Sequence, residues 1–399
     1  MLTVEEALQL VKTHVAPLAP RRAPLAESAG LVLAADAKSD VDSPPHDKSM
    51  MDGYAVASGD RTEVRQVIEE IAAGDVPRRP VVPGTAARVM TGAPLPEGAD
   101  AIIPVEKTEP VDRGGVRLLQ LDIEPGQHVM PRGASMRAGD VVVRAESFLR
   151  PLELAILAEA GQAFVTVRPR PRVCVLPTGN ELVSAEERPG PGQIRNSNGP
   201  MLVAAAKAAG ADADELPVAR DVREELVEKV RRGLAADVLL LSGGVSAGKY
   251  DLVPGVLAEL EVQQVFHKVS LRPGRPLWFG TYASATHRAL VFGLPGNPVS
   301  SFVCFELFVR PAIAAMCGRG FVGAPQIPAR LGHDYDHNGR RAACLPARLS
   351  SLPSGPRVEI LPWLGSADLA ALARANGLVR LPAEPMHLPA GAPVDVLLI

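Results

Sequence analysis

The chain has 399 residues, with 42 Lys and Arg against 45 Asp and Glu and a formal charge of -3. Its length predicts several domains, each able to bury a core, and its charge provides no global field to attract nucleic acid. Glycine (36) and proline (38) predict many turns without reaching the level of a disordered chain, and four scattered cysteines, with no C-x-x-C, fit neither a disulfide scaffold nor a zinc site.

The first segment spaces Val4, Ala7, Leu8, Val11 and Val15 with helical period, and Thr3 with Glu6 makes a capping box. Glu5 and Glu6 argue against a signal peptide. No run approaches the ~18 apolar residues of a membrane span, so a soluble protein with packed thiols, in a reducing cytoplasm, is expected. A second helix is predicted at Pro151 to Ala160, with proline in the first turn and Gly161 as its stop. Segments 1–41 and 145–169 are therefore read as a helical linker. Between them, residues 42–144 alternate short β-rich runs with turn clusters such as Arg113-Gly114-Gly115, which predicts an inserted β domain.

From residue 170 to 320 the pattern becomes strand, loop, helix. Val173 to Leu176, Val238 to Leu241 and Leu290 to Phe292 are short apolar runs suited to a buried parallel sheet. Helices are predicted at 199–209, capped by Asn198, at 222–232, capped by Asp221, and after Pro298. The alternation predicts a doubly wound α/β domain, whose ligands bind beyond the carboxyl ends of the strands. Residues 321–399 return to short strands and read as a small C-terminal β domain, which makes the whole an α/β multidomain protein.

The chemistry is expected in the strand-end loops. Ser242 to Asp251 (SGGVSAGKYD) partly matches a P-loop, but Tyr250 replaces the magnesium-binding Ser or Thr. It also contains a formal nucleophile elbow, yet Ser246 falls too late after the strand. What remains is a glycine-rich loop able to cradle an oxyanion through Ser242, Gly243, Gly244, Ser246 and Gly248, or to serve as a tight connection. Thr178 and Gly179, and Pro295, Gly296 and Asn297, lie in two further loops of this kind. Glu181, Asp221 and Asp251 are oxygen ligands at strand-to-helix positions, suited to Mg²⁺ more than zinc, although Asp221 is equally explained as a helix cap. Lys268, Arg272 and Arg275 punctuate a strand and a Pro-Gly turn; beside anion loops they favour phosphate contact. Asp52-Gly53 and Thr91-Gly92 in the β insertion are explicable as turns.

In order, SPPHDKSMMDGYAV, RVMTGAPLPEGADAIIPVE, PTGNELV, GQIRNSN, SGGVSAGKYD, FHKVSLRPGRP and GLPGNPVSS resemble the molybdopterin molybdenumtransferase (MoeA) family, which is related to the C-terminal domain of gephyrin. The resemblance spans nearly the whole chain. It implies a molybdopterin-binding-like α/β domain and a molybdenum insertase: with Mg²⁺, molybdate enters adenylylated molybdopterin and AMP is released. It also implies an elongated homodimer, with the linker region in dimerisation and the active site between the α/β domain of one protomer and the β insertion of the other. An upstream molybdopterin adenylyltransferase is a further partner to consider. Asp52, Thr91, Lys268 and Arg272 match catalytic positions by this resemblance, and Glu181, Asp221 and Asp251 the metal positions. Arg272 replaces a lysine common in bacterial relatives. Ala134 and Ser135 stand where an acidic pair usually follows Arg-Gly. A gephyrin-like scaffold and a related pterin- or nucleotide-binding enzyme are the alternative readings.

Overall fold

The computed structural model describes residues 1–244 and 252–399. Its contacts divide the chain into two units, one of residues 22–167 and one of residues 1–21 with 168–399. Helix α1 (Val4–His14) therefore falls in a different unit from α2 (Pro151–Glu159), although the sequence groups them in one linker. The reason lies in the stripe Val4, Ala7 and Val11, which shares a core cluster with Val269, Phe305 and Phe308. The reciprocal capping box of Thr3 and Glu6 is present at the start of α1.

In residues 22–167 the main sheet comprises β1 (Gly53–Val56), β2 (Val64–Ile71), β3 (Thr85–Val89), β4 (Ala101–Pro104), β5 (Thr108–Val111) and β6 (Gly115–Leu118). Their order is β4-β1-β3-β2-β6-β5. Alternation along the strands buries both faces: Tyr54, Val56 and Ile103 enter one cluster, Ala55, Val89 and Ile102 the other. Leu157 of α2 packs in a third cluster with Leu33, Leu149 and Val167.

This unit also buries a charge that its sequence does not announce. The Arg65 side chain is fully buried and lies 3.5 Å from the Asp60 carboxylate, while its Nη2 donates to the Asp60 carbonyl at 2.6 Å. Burial by itself would raise the Asp60 pKa, but the Gly84 and Thr62 amides, the Thr62 hydroxyl and Arg65 outweigh it and hold the group at about 2. Asp60 consequently stabilises the unit above its ordinary value of 3.8, and that contribution is lost as pH falls towards about 2. Asp60→Ala, which leaves Arg65 buried without its carboxylate, is expected to cost about 3–5 kcal/mol in urea denaturation at neutral pH, with the gap to wild type closing in acid.

The larger unit is built on β7 (Arg172–Pro177), β8 (Asp212–Glu215), β9 (Val238–Ser242), β10 (Gln263–His267), β12 (Trp278–Ala283) and β13 (Arg288–Leu294), with the two-residue β11 (Leu271–Arg272) between β10 and β12 in the chain. The sheet order is β8-β7-β9-β13-β12-β10. The first four are parallel, and β12 and β10 add an antiparallel edge. The apolar runs are central because both faces are covered: Val175, Leu240 and Phe292 on one side, Leu176, Leu241 and Val291 on the other. Helix α3 (Asn198–Ala209) covers the first side, while α4 (Arg223–Gly233) and α5 (Val253–Glu259) cover the second.

Two helix starts differ from expectation. The cap of α3 is Ser197, and the Gly199 amide is taken instead by the Asn196 side chain at 3.0 Å. The cap of α4 is Val222, whose side chain cannot accept a bond, and the Asp221 amide donates to Asn180 Oδ1 at 3.0 Å. Neither Asn198 nor Asp221 is spent on capping. Residues 298–316 form one helical run, α6 (Pro298–Cys304), a π turn (Phe305–Val309) and α7 (Arg310–Met316). It is the one run among the described residues long and apolar enough to cross a membrane, but 83% of it is buried inside the protein, where Glu306 and Arg310 pair. It is a core helix.

The C-terminal strands are β14 (Gln326–Leu331), β15 (Ala342–Leu352), β16 (Gly355–Ile360), β17 (Gly377–Leu381) and β18 (Pro393–Leu398), with α8 (Leu369–Arg374) before β17. They run β15-β16-β14-β18-β17, and β17 pairs back to β15. This closes a small barrel around Leu345, Val358, Val379 and Val396.

Candidate functional site

The ends of β7, β9 and β13 are level: Pro177 pairs with Ser242, and Ser242 with Leu294. The loops that follow consequently leave the sheet side by side. The Thr178 amide donates to the Ser242 carbonyl at 3.0 Å and the Gly243 amide to that of Leu294 at 3.1 Å. Gly243 has φ 98°, and a Cβ there would lie 2.7 Å from the Thr178 carbonyl oxygen; both conditions require glycine. Asn198 reaches across from the start of α3, its Nδ2 donating to Ser242 Oγ and to the Gly296 carbonyl, each at 2.8 Å. Gly179, Gly244 and Pro295 belong to the same loops.

Glu181 and Asp221 occupy neighbouring connections at this end of the sheet. Gly179 donates to the Ala219 carbonyl at 3.0 Å, and Asn180 accepts the Asp221 amide while its carbonyl takes Arg220 Nη1 at 2.9 Å. Asp251, Ser246 and Gly248 lie outside the described residues, and among the described residues no three acidic, histidine or cysteine side chains converge as a metal cage. The hydrogen bonds through Asn180 tie the loops of Glu181 and Asp221 to each other, and one or two protein carboxylates, with phosphate oxygens and water, are the donor set Mg²⁺ ordinarily takes.

Beside these loops is a cavity of about 450 Å³ lined by Arg272, Arg275, Arg341, Asn297, Trp363 and Ser366, with no acidic residue among the described residues of its lining. Burial, then the facing Arg275 and Arg272 guanidiniums, push the Arg341 pKa down, so three cations converge without a counter-ion among the described residues of the wall. Asn297 Nδ2 donates to Ser366 Oγ at 2.8 Å, which joins the β13 loop to the C-terminal part of the cavity. Forked guanidiniums converging on an open space suit a tetrahedral oxyanion. Lys268, at φ 76° after β10, does not line this cavity; its amide is bonded to the Leu277 carbonyl at 2.8 Å.

In the other unit, pairing of Gly53 with Val89 brings the residue before β1 to the residues after β3. Asp52 Oδ1 accepts the Thr91 amide at 2.6 Å and the Thr91 hydroxyl at 2.8 Å. Those bonds, with a smaller effect of Arg88, hold the exposed Asp52 carboxyl below its usual range. Gly53 is the first residue of a strand rather than part of a hairpin turn. In the same unit, Arg132 Nε is bonded to Asp42 at 2.6 Å and its amide to Asp47 at 2.7 Å. Acidic groups thus meet Arg132 from residues 42 and 47, even though Ala134 and Ser135 follow it.

Three family models match in chain order: the MoeA N-terminal region (domain I and II) over residues 2–161, a probable molybdopterin binding domain over 174–315, and the MoeA C-terminal region (domain IV) over 328–399. A molybdopterin molybdenumtransferase of Staphylococcus epidermidis is 33% identical, covering all of this chain and 95% of its own. The chain belongs to the MoeA family. A molybdopterin molybdenumtransferase of Staphylococcus aureus is 32% identical over the same shares. The crystal structure of a molybdopterin biosynthesis MoeA protein from Pyrococcus horikosii superposes with a TM-score of 0.83 at 31% identity, covering 100% and 99% of the two chains. As a MoeA-family member the protein is a transferase with a role in molybdenum cofactor biosynthesis.

Within this family frame, the structure brings Thr178, Gly179, Ser242, Gly243, Gly244, Pro295, Gly296 and Asn297 to one end of the α/β sheet, with Glu181 and Asp221 alongside. Asp52 and Thr91 form a bonded pair in the other unit. Sequence reasoning missed Arg341, Trp363 and Ser366, which belong to the C-terminal segment, and Asn198, which resembled a helix cap. Only GQIRNSN carried a signal, as a motif without an assigned residue.

Proposed function

We propose that this MoeA-family enzyme inserts molybdate into adenylylated molybdopterin with release of AMP, assisted by Mg²⁺. The observation that carries this reading is the cavity of Arg272, Arg275 and Arg341, free of acidic lining and set beside the strand-end loops. Molybdate is a tetrahedral dianion, and three guanidiniums neutralise it while leaving its oxygens oriented. The loops at Thr178, Ser242 to Gly244 and Pro295 to Asn297 are suited to hold the diphosphate through backbone N–H groups. Glu181 and Asp221 would hold Mg²⁺, with Asp251 as the third expected carboxylate; the ion supplies charge neutralisation at the diphosphate as AMP leaves. Asp52, kept ionised by Thr91, is proposed to orient substrate or water, and Lys268 to add positive charge near the diphosphate.

Incubating the purified protein with adenylylated molybdopterin, molybdate and Mg²⁺ is expected to release AMP stoichiometrically with metallated cofactor. Intact substrate after prolonged incubation refutes the reading.

The proposed assembly is a homodimer, supported by apolar side chains left exposed around α2: Leu152 at 72% exposure, with Phe148, Phe164 and Val141 also accessible. Sedimentation equilibrium is expected to give twice the 42.0 kDa chain mass, and Leu152→Glu to shift it towards monomer; a monomeric wild type removes this proposal. A cytoplasmic location fits four cysteines that are all free and buried, and an upstream adenylyltransferase remains the proposed source of substrate.

A further inference from the structure

Asn198 is 8% exposed, and its carboxamide orientation is fixed by chemistry. The Gly296 carbonyl can only accept, so the group facing it is the NH₂. The second NH₂ hydrogen goes to Ser242 Oγ, and both donors are then committed to two different loops. The carboxamide oxygen is left over: buried, and without a hydrogen-bond partner among the described residues. Native proteins seldom leave a buried acceptor unmatched without a reason. A phosphate oxygen cannot match it, since both would be acceptors. An N–H or O–H donor can.

We propose that Asn198 is a positioning and ligand-reading residue of the strand-end site, its NH₂ fixing the spacing of the loops at Ser242 and Gly296 and its Oδ1 accepting a hydrogen bond from an N–H or O–H group of the bound substrate. The loop-fixing half stands on the geometry alone, whereas the ligand-reading half rests on the substrate proposed above. Adenylylated molybdopterin offers such donors at both ends, on the pterin ring and on the nucleoside. One acceptor at one place reads only one of them.

The test uses the full-length protein and two variants, Asn198→Ala, which removes donor and acceptor, and the near-isosteric Asn198→Asp, which keeps an acceptor but cannot donate to Gly296. Hydrogen exchange without ligand is expected to quicken about 5-fold or more at residues 242–244 and 295–297 in both variants. Unchanged exchange in either variant, with heat denaturation showing it folded, overturns the loop-fixing role. Titration with molybdopterin and, separately, with AMP then reads the acceptor. Asn198→Ala is expected to weaken one of the two roughly 10-fold and the other less than about 3-fold, while Asn198→Asp keeps most of the affinity that alanine loses. Loss with molybdopterin places the donor on the pterin, and loss with AMP on the nucleoside. Equal affinities for both ligands in the alanine variant overturn the ligand-reading role, as does an aspartate variant that binds no better than alanine. Wild type that binds neither ligand overturns the substrate assignment and this half together, with the exchange measurement still deciding the loop-fixing half.

Discussion

Arg275→Ala is expected to raise the KM for molybdate roughly 10- to 100-fold, the equivalent of the ~1.5–3 kcal/mol in a charge-assisted hydrogen bond. Arg341→Ala should behave in the same way, because its guanidinium shares the cavity with Arg272 and Arg275. The physical argument makes a second, less intuitive demand. Three cations held together without an acidic residue in the lining repel one another in the empty site, so removing one leaves thermal stability equal to or above wild type while affinity falls. Increasing salt should weaken molybdate binding in the wild type more than in the alanine variants. Arg275→Lys retains the charge but loses the fork, and intermediate affinity is expected. KM measurements by AMP release, paired with melting curves, check all of these together. A variant that lost activity and stability in parallel would show that the arginines hold the fold instead of the ligand.

Gly243→Ala is expected to abolish most activity while leaving a folded protein. The new methyl group meets two obstacles, a left-handed φ of 98° and the Thr178 carbonyl oxygen at 2.7 Å. Backbone held in such a region costs about 1–3 kcal/mol, and relief comes from moving the loop out of its place between Thr178 and Leu294. Because the Gly243 amide is bonded to the Leu294 carbonyl, that movement propagates to the next strand end. The melting temperature should drop by a few degrees, roughly as ~1–2 kcal/mol does in a domain of this size, and kcat should fall far more than that loss explains. Gly255→Ala is the control, since a Cβ there meets nothing within 4 Å and its backbone is not left-handed; it should leave kcat unchanged and, as a helical glycine of α5 becomes alanine, leave the melting temperature equal or slightly higher.

Much of the α/β core was legible because its central strands carry their own evidence. Val173 to Leu176, Val238 to Leu241 and Leu290 to Phe292 are apolar at consecutive positions, as suits a short strand covered on both faces, and they are the central parallel strands. The capping box at Thr3 is a local signal and is present as read. The antiparallel edge formed by β12 and β10 was not legible, since partner choice at an edge depends on where the chain returns and not on its composition. The caps failed for a related reason. Asn before a helix is the ordinary cap signal, yet Asn198 found buried partners at Ser242 and Gly296 that are distant in sequence, and the local role passed to Asn196.

The site divided along the same line. Glycine loops reveal themselves through backbone requirements that few residues meet, and Gly243, with its left-handed φ and its close approach to Thr178, is such a position. Arginine has no such restriction. Arg341 lies in a run, GRRAAC, that looks like any solvated turn, and only the folding of the C-terminal barrel carries it to Arg272 and Arg275. Asp42 and Asp47 were likewise hidden, because their partner Arg132 is far along the chain.

The two-residue strand β11 pairs in parallel with β15, Leu271 opposite Ala342 and Arg272 opposite Ala343. A stretch of the α/β segment is thereby stitched into the barrel, and the backbone carrying Arg272 takes its direction from residues of the next family model. Cutting the chain between residues 315 and 328, where those models part, would leave the backbone of Leu271 and Arg272 without its strand partner and would free the arginine turn from its template. The neat seam between modules is a place to recognise ancestry, not a place to use scissors.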